Sequence, residues 1–277
     1  MIDIFVKDLE NYASSQEKLM RLRELLQLLI LSIIYSSGYF QNICFLGGTA
    51  LRIVHALDRF SEDLDFSLAN KGSFSFETFL DKLEREIKLR GFDVEIKRSR
   101  SERAVKSCFL KFSQVLFDTN LSPLKDQKIM IKLEIDENSP QGFKTELKLV
   151  KDIISFQSNT LDLSSLFAGK THALIRRRYT KGRDFYDLQY YLARYIEPNY
   201  NYLNNALKQD SDDCKQVNNY SELCSELRAV IDKTDFNKVK DDIEGFVLDK
   251  SKFSYFDKEF FLSLINQYEA RLKWVVN

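Results

Sequence analysis

The chain has 277 residues, 44% of them hydrophobic and 30% charged, and its 41 lysines and arginines are matched by 41 aspartates and glutamates. This composition excludes global disorder and a bulk electrostatic binder of nucleic acid or membrane, so any RNA contact must come from a local patch. Three prolines and nine glycines argue against a loop-rich all-β architecture, and the length allows one large domain or two modest ones.

The opening MIDIFVKDLENYASS is acidic and amphipathic and does not resemble a signal peptide. A long helix is expected over 15–37. Its stretch from Leu25 to Tyr35 is strongly apolar but short of the ~20 residues a membrane span needs, and Gln27 and Ser32 interrupt it. It reads as a core helix packed on both sides. Strand Ile43–Leu46, helix Thr49–Leu57 and strand Leu64–Ser67 follow. Within Phe74–Arg90, Phe76, Phe79, Leu80, Leu83 and Ile87 fall at helical spacing, and Gly91 is a stop. Strands are expected at Phe92–Lys97, 104–113 and 128–136, the last two parted by a polar turn around Pro123, and Ile153 to Phe156 is one more short apolar run. Beyond it the signal is helical, over 161–178, 183–195, 219–233, 235–248 and 257–273. Asn199 to Asn219, rich in Asn, Asp and Tyr, reads as a surface connection. The fold class expected is α+β: a mixed-sheet core with an N-terminal helix over 1–157, then an all-helical C-terminal subdomain over 158–277. Cys44, Cys108, Cys214 and Cys224 lack metal-ligand spacing and read as reduced thiols of a cytoplasmic protein.

The strongest chemical signal lies in Phe45 to Phe66, FLGGTALRIVHALDRFSEDLDF. An apolar strand, Gly-Gly-Thr, a helix and an Asp-x-Asp strand, in that order, suit transfer of a nucleotidyl group from a nucleoside triphosphate. Side chains alternate along a strand, so Asp63 and Asp65 share a face while Leu64 and Phe66 point into the core. Carboxylates are hard ligands for magnesium, and two such ions ~4 Å apart clamp the attacking and leaving oxygens of an in-line displacement. Gly47 and Gly48 let the backbone close on phosphates at a helix N-terminus. Thr49 reads either as a phosphate contact or as the helix N-cap. Ser61, on the face of both aspartates, reads equally as a triphosphate contact or a turn cap. A third carboxylate usually completes such a site and helps take the proton. The strand KIMIKLEID (128–136) puts Lys132, Glu134 and Asp136 on one face, and Glu134, in the body of the strand, is preferred over Asp136.

The segment LFAGKTHALIRRRYTKGRDFYDL (166–188) is the second unusual stretch, with Arg176, Arg177, Arg178, Lys181 and Arg183 placing five positive charges in eight residues. Lys170 could reach the triphosphate or neutralise charge on leaving pyrophosphate. Asp184 is either a helix N-terminal charge or a group facing the nucleotide, and Arg183 and Asp187 are spaced to pair. Arg176, Arg177, Arg178 and Lys181 form a candidate track for an RNA backbone, with Tyr179 to stack on a base. His55 and His172 belong to no cluster that reads as zinc, and there is no Gly-x-Ser-x-Gly or Walker A sequence.

Taken together, LGGTALR (46–52), RFSEDLDF (59–66), KLEID (132–136), GKTHALIRRR (169–178) and KGRDFYDL (181–188) resemble the abortive-infection AbiEii/AbiGii-type nucleotidyltransferase toxin family in order and approximate spacing. The resemblance implies a polymerase-β-like nucleotidyltransferase core. In it Gly47, Gly48 and Thr49 hold phosphates, Asp63 and Asp65 bind magnesium, and Lys170 and Asp184 complete the site. It also implies a toxin of a toxin–antitoxin or phage-defence system with a cognate antitoxin, and some such relatives add nucleotides to the 3′ end of tRNA.

The expectation is a two-metal, magnesium-dependent enzyme with ligands Asp63, Asp65 and Glu134. It would move a nucleoside monophosphate from an NTP to an acceptor hydroxyl, a tRNA 3′ end above all, with no membrane partner. One alternative is a nucleotide-sensing or RNA-binding module without turnover, against which the intact Asp-x-Asp argues. The other is nucleotidyl or phosphoryl transfer to a protein hydroxyl.

Overall fold

Hydrophobic alternation in the first part of the chain closes into one mixed sheet, as a computed structural model shows for residues 1–70, 72, 74–99, 104–177, 179, 181–211 and 214–276. The chain divides into two compact units. The first comprises Met1–Ala56, Phe60–Ser139 and Thr145–Thr160, and the second Leu57–Arg59, Pro140–Lys144 and Leu161–Asn277.

The first unit runs α1 (Ile2–Leu9), α2 (Ser15–Ser36), β1 (Ile43–Leu46), α3 (Gly47–His55), β2 (Leu64–Leu68), α4 (Phe76–Leu89), β3 (Val94–Arg98), β4 (Val105–Phe112), the single turn α5 (Val115–Asp118), β5 (Ile129–Asp136), β6 (Thr145–Val150) and β7 (Phe156–Leu161). The seven strands lie in the order β3-β4-β5-β2-β1-β7-β6. β2 is antiparallel to β1 and parallel to β5, and β4 is antiparallel to both β3 and β5. The parallel pairing of β2 with β5 needs a crossover connection, which α4, β3, β4 and α5 make up.

α2 starts at a capping box, Ser14 Oγ accepting from Glu17 N while Glu17 accepts from the Ser14 backbone. It is packed all round: Leu22, Leu25, Leu26, Leu28, Leu29, Leu31, Ile33 and Ile34 are all buried. Its charged first half is held rather than solvated. Buried Arg21 reaches Asp8 (2.7 Å), Glu24 (2.8 Å) and Asp152 (2.6 Å), and Arg52 Nε donates to Glu24 (2.5 Å). No helix among the described residues is long and apolar enough to cross a membrane. On the inner side of the sheet, Leu110, Phe112, Ile131, Leu133 and Ile135 are buried, and the intervening residues of β5 are half-buried or exposed.

The second unit is helical: α6 (Leu163–Arg176), α7 (Gly182–Leu192), α8 (Tyr200–Asp210), α9 (Tyr220–Asp232), α10 (Phe236–Glu244) and α11 (Lys258–Val276). Aromatic packing fills it, with Phe167 stacked on Tyr191 at 4.5 Å and Phe261 against Phe185, Phe236 and Phe256. At Gly182 a β-carbon would collide with the Val239 carbonyl, so a glycine is what lets the start of α7 lie against α10.

Three sequence expectations are corrected. The Asn199–Asn219 stretch contains α8, whose Tyr202, Leu203, Ala206 and Leu207 are buried beneath a polar exterior. β6 was not anticipated, although Leu147 and Leu149 alternate with Glu146 and Lys148 as in a strand; both leucines are exposed. The helix after β1 begins at Gly47, not Thr49.

Candidate active site

Gly47 takes φ +81°, a left-handed backbone that side chains rarely adopt, and it passes close against β2. A β-carbon there would lie 2.5 Å from Asp65 Oδ2. The pairing of Leu46 with Asp65 across β1 and β2 produces this approach. It leaves the first N–H groups of α3, which have no intrahelical acceptors, at the acidic end of the sheet.

Thr49 is fully buried, and its hydroxyl donates to the Asp63 carbonyl and shares a 2.8 Å hydrogen bond with the Ser61 hydroxyl. The helix N-cap is Leu46, with no side-chain cap. Thr49 therefore stitches the glycine turn to the loop that carries the acids. Gln27 Nε2 holds that loop from α2 through the Ser61 carbonyl at 3.1 Å.

Asp63 and Asp65 are half-buried and flank the buried Leu64. In the parallel pairing of β2 with β5, Asp65 stands opposite Glu134 and Ser67 opposite Asp136. Residues in register on neighbouring strands share a face, so Asp65 and Glu134 open on the same side. Lys132 completes this group, its Nζ 2.8 Å from Glu134 Oε2. Burial works against the Lys132 charge, yet Glu134, Asp63 and Asp65 raise its pKa above the ordinary lysine value. An ammonium has thus settled where three carboxylates concentrate negative potential.

Among the described residues no group of three or more His, Cys, Asp or Glu side chains is arranged to hold a metal ion, and Glu134 is paired with Lys132. In kind, the donors fit a hard divalent cation: carboxylate oxygens beside a glycine cradle that a β-carbon would fill.

The second unit holds the other candidates in a chain of alternating charge. Arg59 Nε and its terminal nitrogen donate to Asp187 at 2.6 and 2.8 Å. Lys170 Nζ lies 2.7 Å from Asp187 and 2.8 Å from Asp184, and Arg177 pairs with the second oxygen of Asp184. Asp187 is wholly buried and Arg59 and Asp184 nearly so. Burial would raise the Asp187 pKa, but Arg59 and Lys170 hold it at about 2. Burial likewise opposes the charge on Lys170, and Asp184 and Asp187 outweigh it. Three cations share two carboxylates, so this cluster carries surplus positive charge. Tyr186 Oη donates to the Asp58 carbonyl at 2.9 Å and fixes the short segment that bears Arg59.

The basic run is partly spoken for. Arg176 and His172 both meet Asp210, at 3.1 and 2.9 Å. Arg178 lies outside the described residues. Lys181 is half-buried, and burial pushes its pKa down. Arg183 lies over the Phe246 ring at 4.0 Å, and Arg59 and Lys170 both pair with Asp187. Tyr179 is exposed, and with Arg177, Lys181, Asp184, Phe185 and Lys233 it lines a cavity of about 320 Å³.

The sequence placed Lys132 on the face of Glu134 without giving it a part in the site, and Arg59 and Asp187 were not read as partners. Lys132 was visible by strand alternation. The Arg59–Asp187 pair joins residues far apart in the chain and left no local signal.

A crystal structure from H. pylori, described as a putative nucleotidyltransferase, aligns over 94% of this chain and 96% of its own, with a TM-score of 0.55 and 19% identity. A second, of JHP933 from Helicobacter pylori, covers 95% and 97%, with a TM-score of 0.45 and 17% identity. The first likeness is one of fold. Comparison with curated proteins finds no significant match. The family described as nucleotidyl transferase AbiEii toxin, type IV toxin–antitoxin system, matches residues 29–261. The chain therefore belongs to the AbiEii family of nucleotidyltransferase toxins.

Proposed function

We propose that the reaction is magnesium-dependent transfer of a nucleoside monophosphate from an NTP to the 3′-terminal hydroxyl of an RNA, with tRNA as the acceptor. The observation that carries this reading is the close passage of the Gly47 backbone against Asp65, with Glu134 in register on the next strand. A turn that offers N–H groups to phosphate and a row of carboxylates suited to metal sit side by side within one unit.

In this assignment the backbone of Gly47 and Gly48 holds the phosphates, with Thr49 and Ser61 fixing the turn. Asp63, Asp65 and Glu134 would hold magnesium, which would screen the phosphates and lower the pKa of the acceptor hydroxyl. The acceptor oxygen forms a bond to the α-phosphorus, and the bond from that phosphorus to the bridging oxygen breaks. Pyrophosphate leaves with the electron pair. The hydroxyl proton passes to a carboxylate, Glu134 in this reading. Lys170 neutralises charge on the pyrophosphate, and Asp184 and Asp187 keep its ammonium charged and oriented. The resemblance of their sequence blocks to the family supports the roles of Lys170 and Asp184. Arg176, Arg177, Arg178 and Lys181 contribute positive potential for the RNA backbone, and a cognate antitoxin neutralises the enzyme.

The test is incubation of the protein with each α-labelled NTP, magnesium and total RNA. Label in RNA that a 3′-exonuclease removes supports the reading. Label found only in protein, or pyrophosphate release with no labelled RNA, overturns the RNA acceptor.

A further inference from the structure

An in-line displacement needs the attacking oxygen and the leaving pyrophosphate on opposite sides of the phosphorus, and the sheet order assigns those sides. β1 with its glycine turn lies on one side of β2, and β5 and β4 lie on the other. If the triphosphate rests on the turn, the acceptor arrives across β5 and β4. That rests on the nucleotidyl-transfer reading above.

The outer face of those strands is built for such an arrival. The pairing sets Lys97, Phe109 and Lys132 in one row across β3, β4 and β5, and sets Lys111 beside Met130 in the next. Phe109 is 38% and Met130 52% exposed, on strands whose alternate residues are wholly buried. An aromatic ring between two lysines, uncovered, is a platform for a nucleobase with cations at its edges. Lys132 and Asp63 line the same recess, so the row ends at the acids.

A cavity of about 360 Å³ opens here, lined by Asp63, Phe109, Met130, Arg23, Lys128 and Lys132 among others, all within the first unit. That volume lies in the lower part of the roughly 300–1,000 Å³ range of small-molecule sites. Arg23 pairs with Glu62 at 3.0 Å, but its Nε is buried with no acceptor. A buried guanidinium N–H without a partner is costly.

We propose that this recess seats the 3′-terminal nucleoside of a single-stranded RNA acceptor. Its base lies on Phe109 and Met130, its backbone phosphate meets Arg23 and Lys128, and its hydroxyl is presented beside Asp63. An acceptor hydroxyl on a protein side chain would need neither the platform nor the cations.

The experiment measures fluorescence anisotropy of a 5′-fluorescein ten-nucleotide single-stranded RNA with the full chain, without NTP and in EDTA. Phe109→Ala should weaken binding roughly 5- to 150-fold, the range of one lost base stack. Phe109→Tyr should restore most of it. Lys97→Gln should weaken binding and flatten its salt dependence. Failure of the wild type to bind, or equal binding by Phe109→Ala, overturns the proposal. The transfer assay separates the two readings. RNA labelling with an RNA KM that Phe109→Ala leaves unchanged sinks this seat and keeps the enzyme. Phe109-dependent RNA binding with no transfer from any NTP keeps the seat and sinks the transfer reading.

Discussion

Gly47 and Asp65 approach so closely that a β-carbon on the glycine would stand 2.5 Å from the carboxylate oxygen Oδ2. The glycine also has a positive φ, so its replacement is penalised twice. Gly47→Ala should lower stability by about 1–3 kcal/mol through backbone strain, displace Asp65, and reduce nucleotidyl transfer at least 100-fold. Thermal melts and labelled-NTP transfer read the two effects separately. A well-folded alanine variant with wild-type transfer would remove the turn from the site.

In the proposed site Lys132 would compete with a divalent cation for the same carboxylates. Lys132→Gln should therefore bind Mn2+ several-fold more tightly, read by electron paramagnetic resonance without nucleotide, because Glu134 loses its ion-pair partner and the cluster loses a positive charge. Unchanged or weaker Mn2+ binding would mean that Glu134 takes no part in holding the ion.

In the second unit Asp187 balances two buried cations, and deleting its charge leaves Arg59 and Lys170 short of a partner. Asp187→Asn should cost about 3–5 kcal/mol. Its folded pKa, about 2, lies below the unfolded value of roughly 4. The unfolded chain therefore takes up the proton first. The contribution is complete above pH ~4 and is lost as pH falls toward 2, on the order of 2 kcal/mol in all. Urea melts from pH 5 to pH 2.5 should show this loss in the wild type and less of it in Asp187→Asn. Equal slopes in both would show that the buried pair does not govern the acid limb.

Much of the site was legible because strand alternation is a local property. Buried Leu64 and Phe66 against half-buried Asp63 and Asp65, and the same pattern in β5, follow from spacing alone. The alignment of Asp65 with Glu134 was not legible, since it depends on which strands pair and in what register, a decision made by the packing of the whole sheet. Thr49 shows the same limit. Its place after two glycines suggested a cap or a phosphate contact, and tertiary structure turned the hydroxyl onto the Asp63 carbonyl. β6 was overlooked although Glu146-Leu147-Lys148-Leu149 alternates as a strand does; on this edge strand the leucines are exposed and the charges half-buried. α8 escaped because its surface is almost all Asn, Lys, Gln and Asp.

The most direct measurement is pyrophosphate release by Asp65→Asn beside the wild type, with magnesium, NTP and RNA, at equal thermal stability. The isosteric amide keeps the shape of the site but removes a charged ligand. At least a 1,000-fold loss, on the order of 4 kcal/mol of transition-state stabilisation, is expected. Release at the wild-type rate would contradict the assignment of the glycine turn and its facing carboxylates as the catalytic centre.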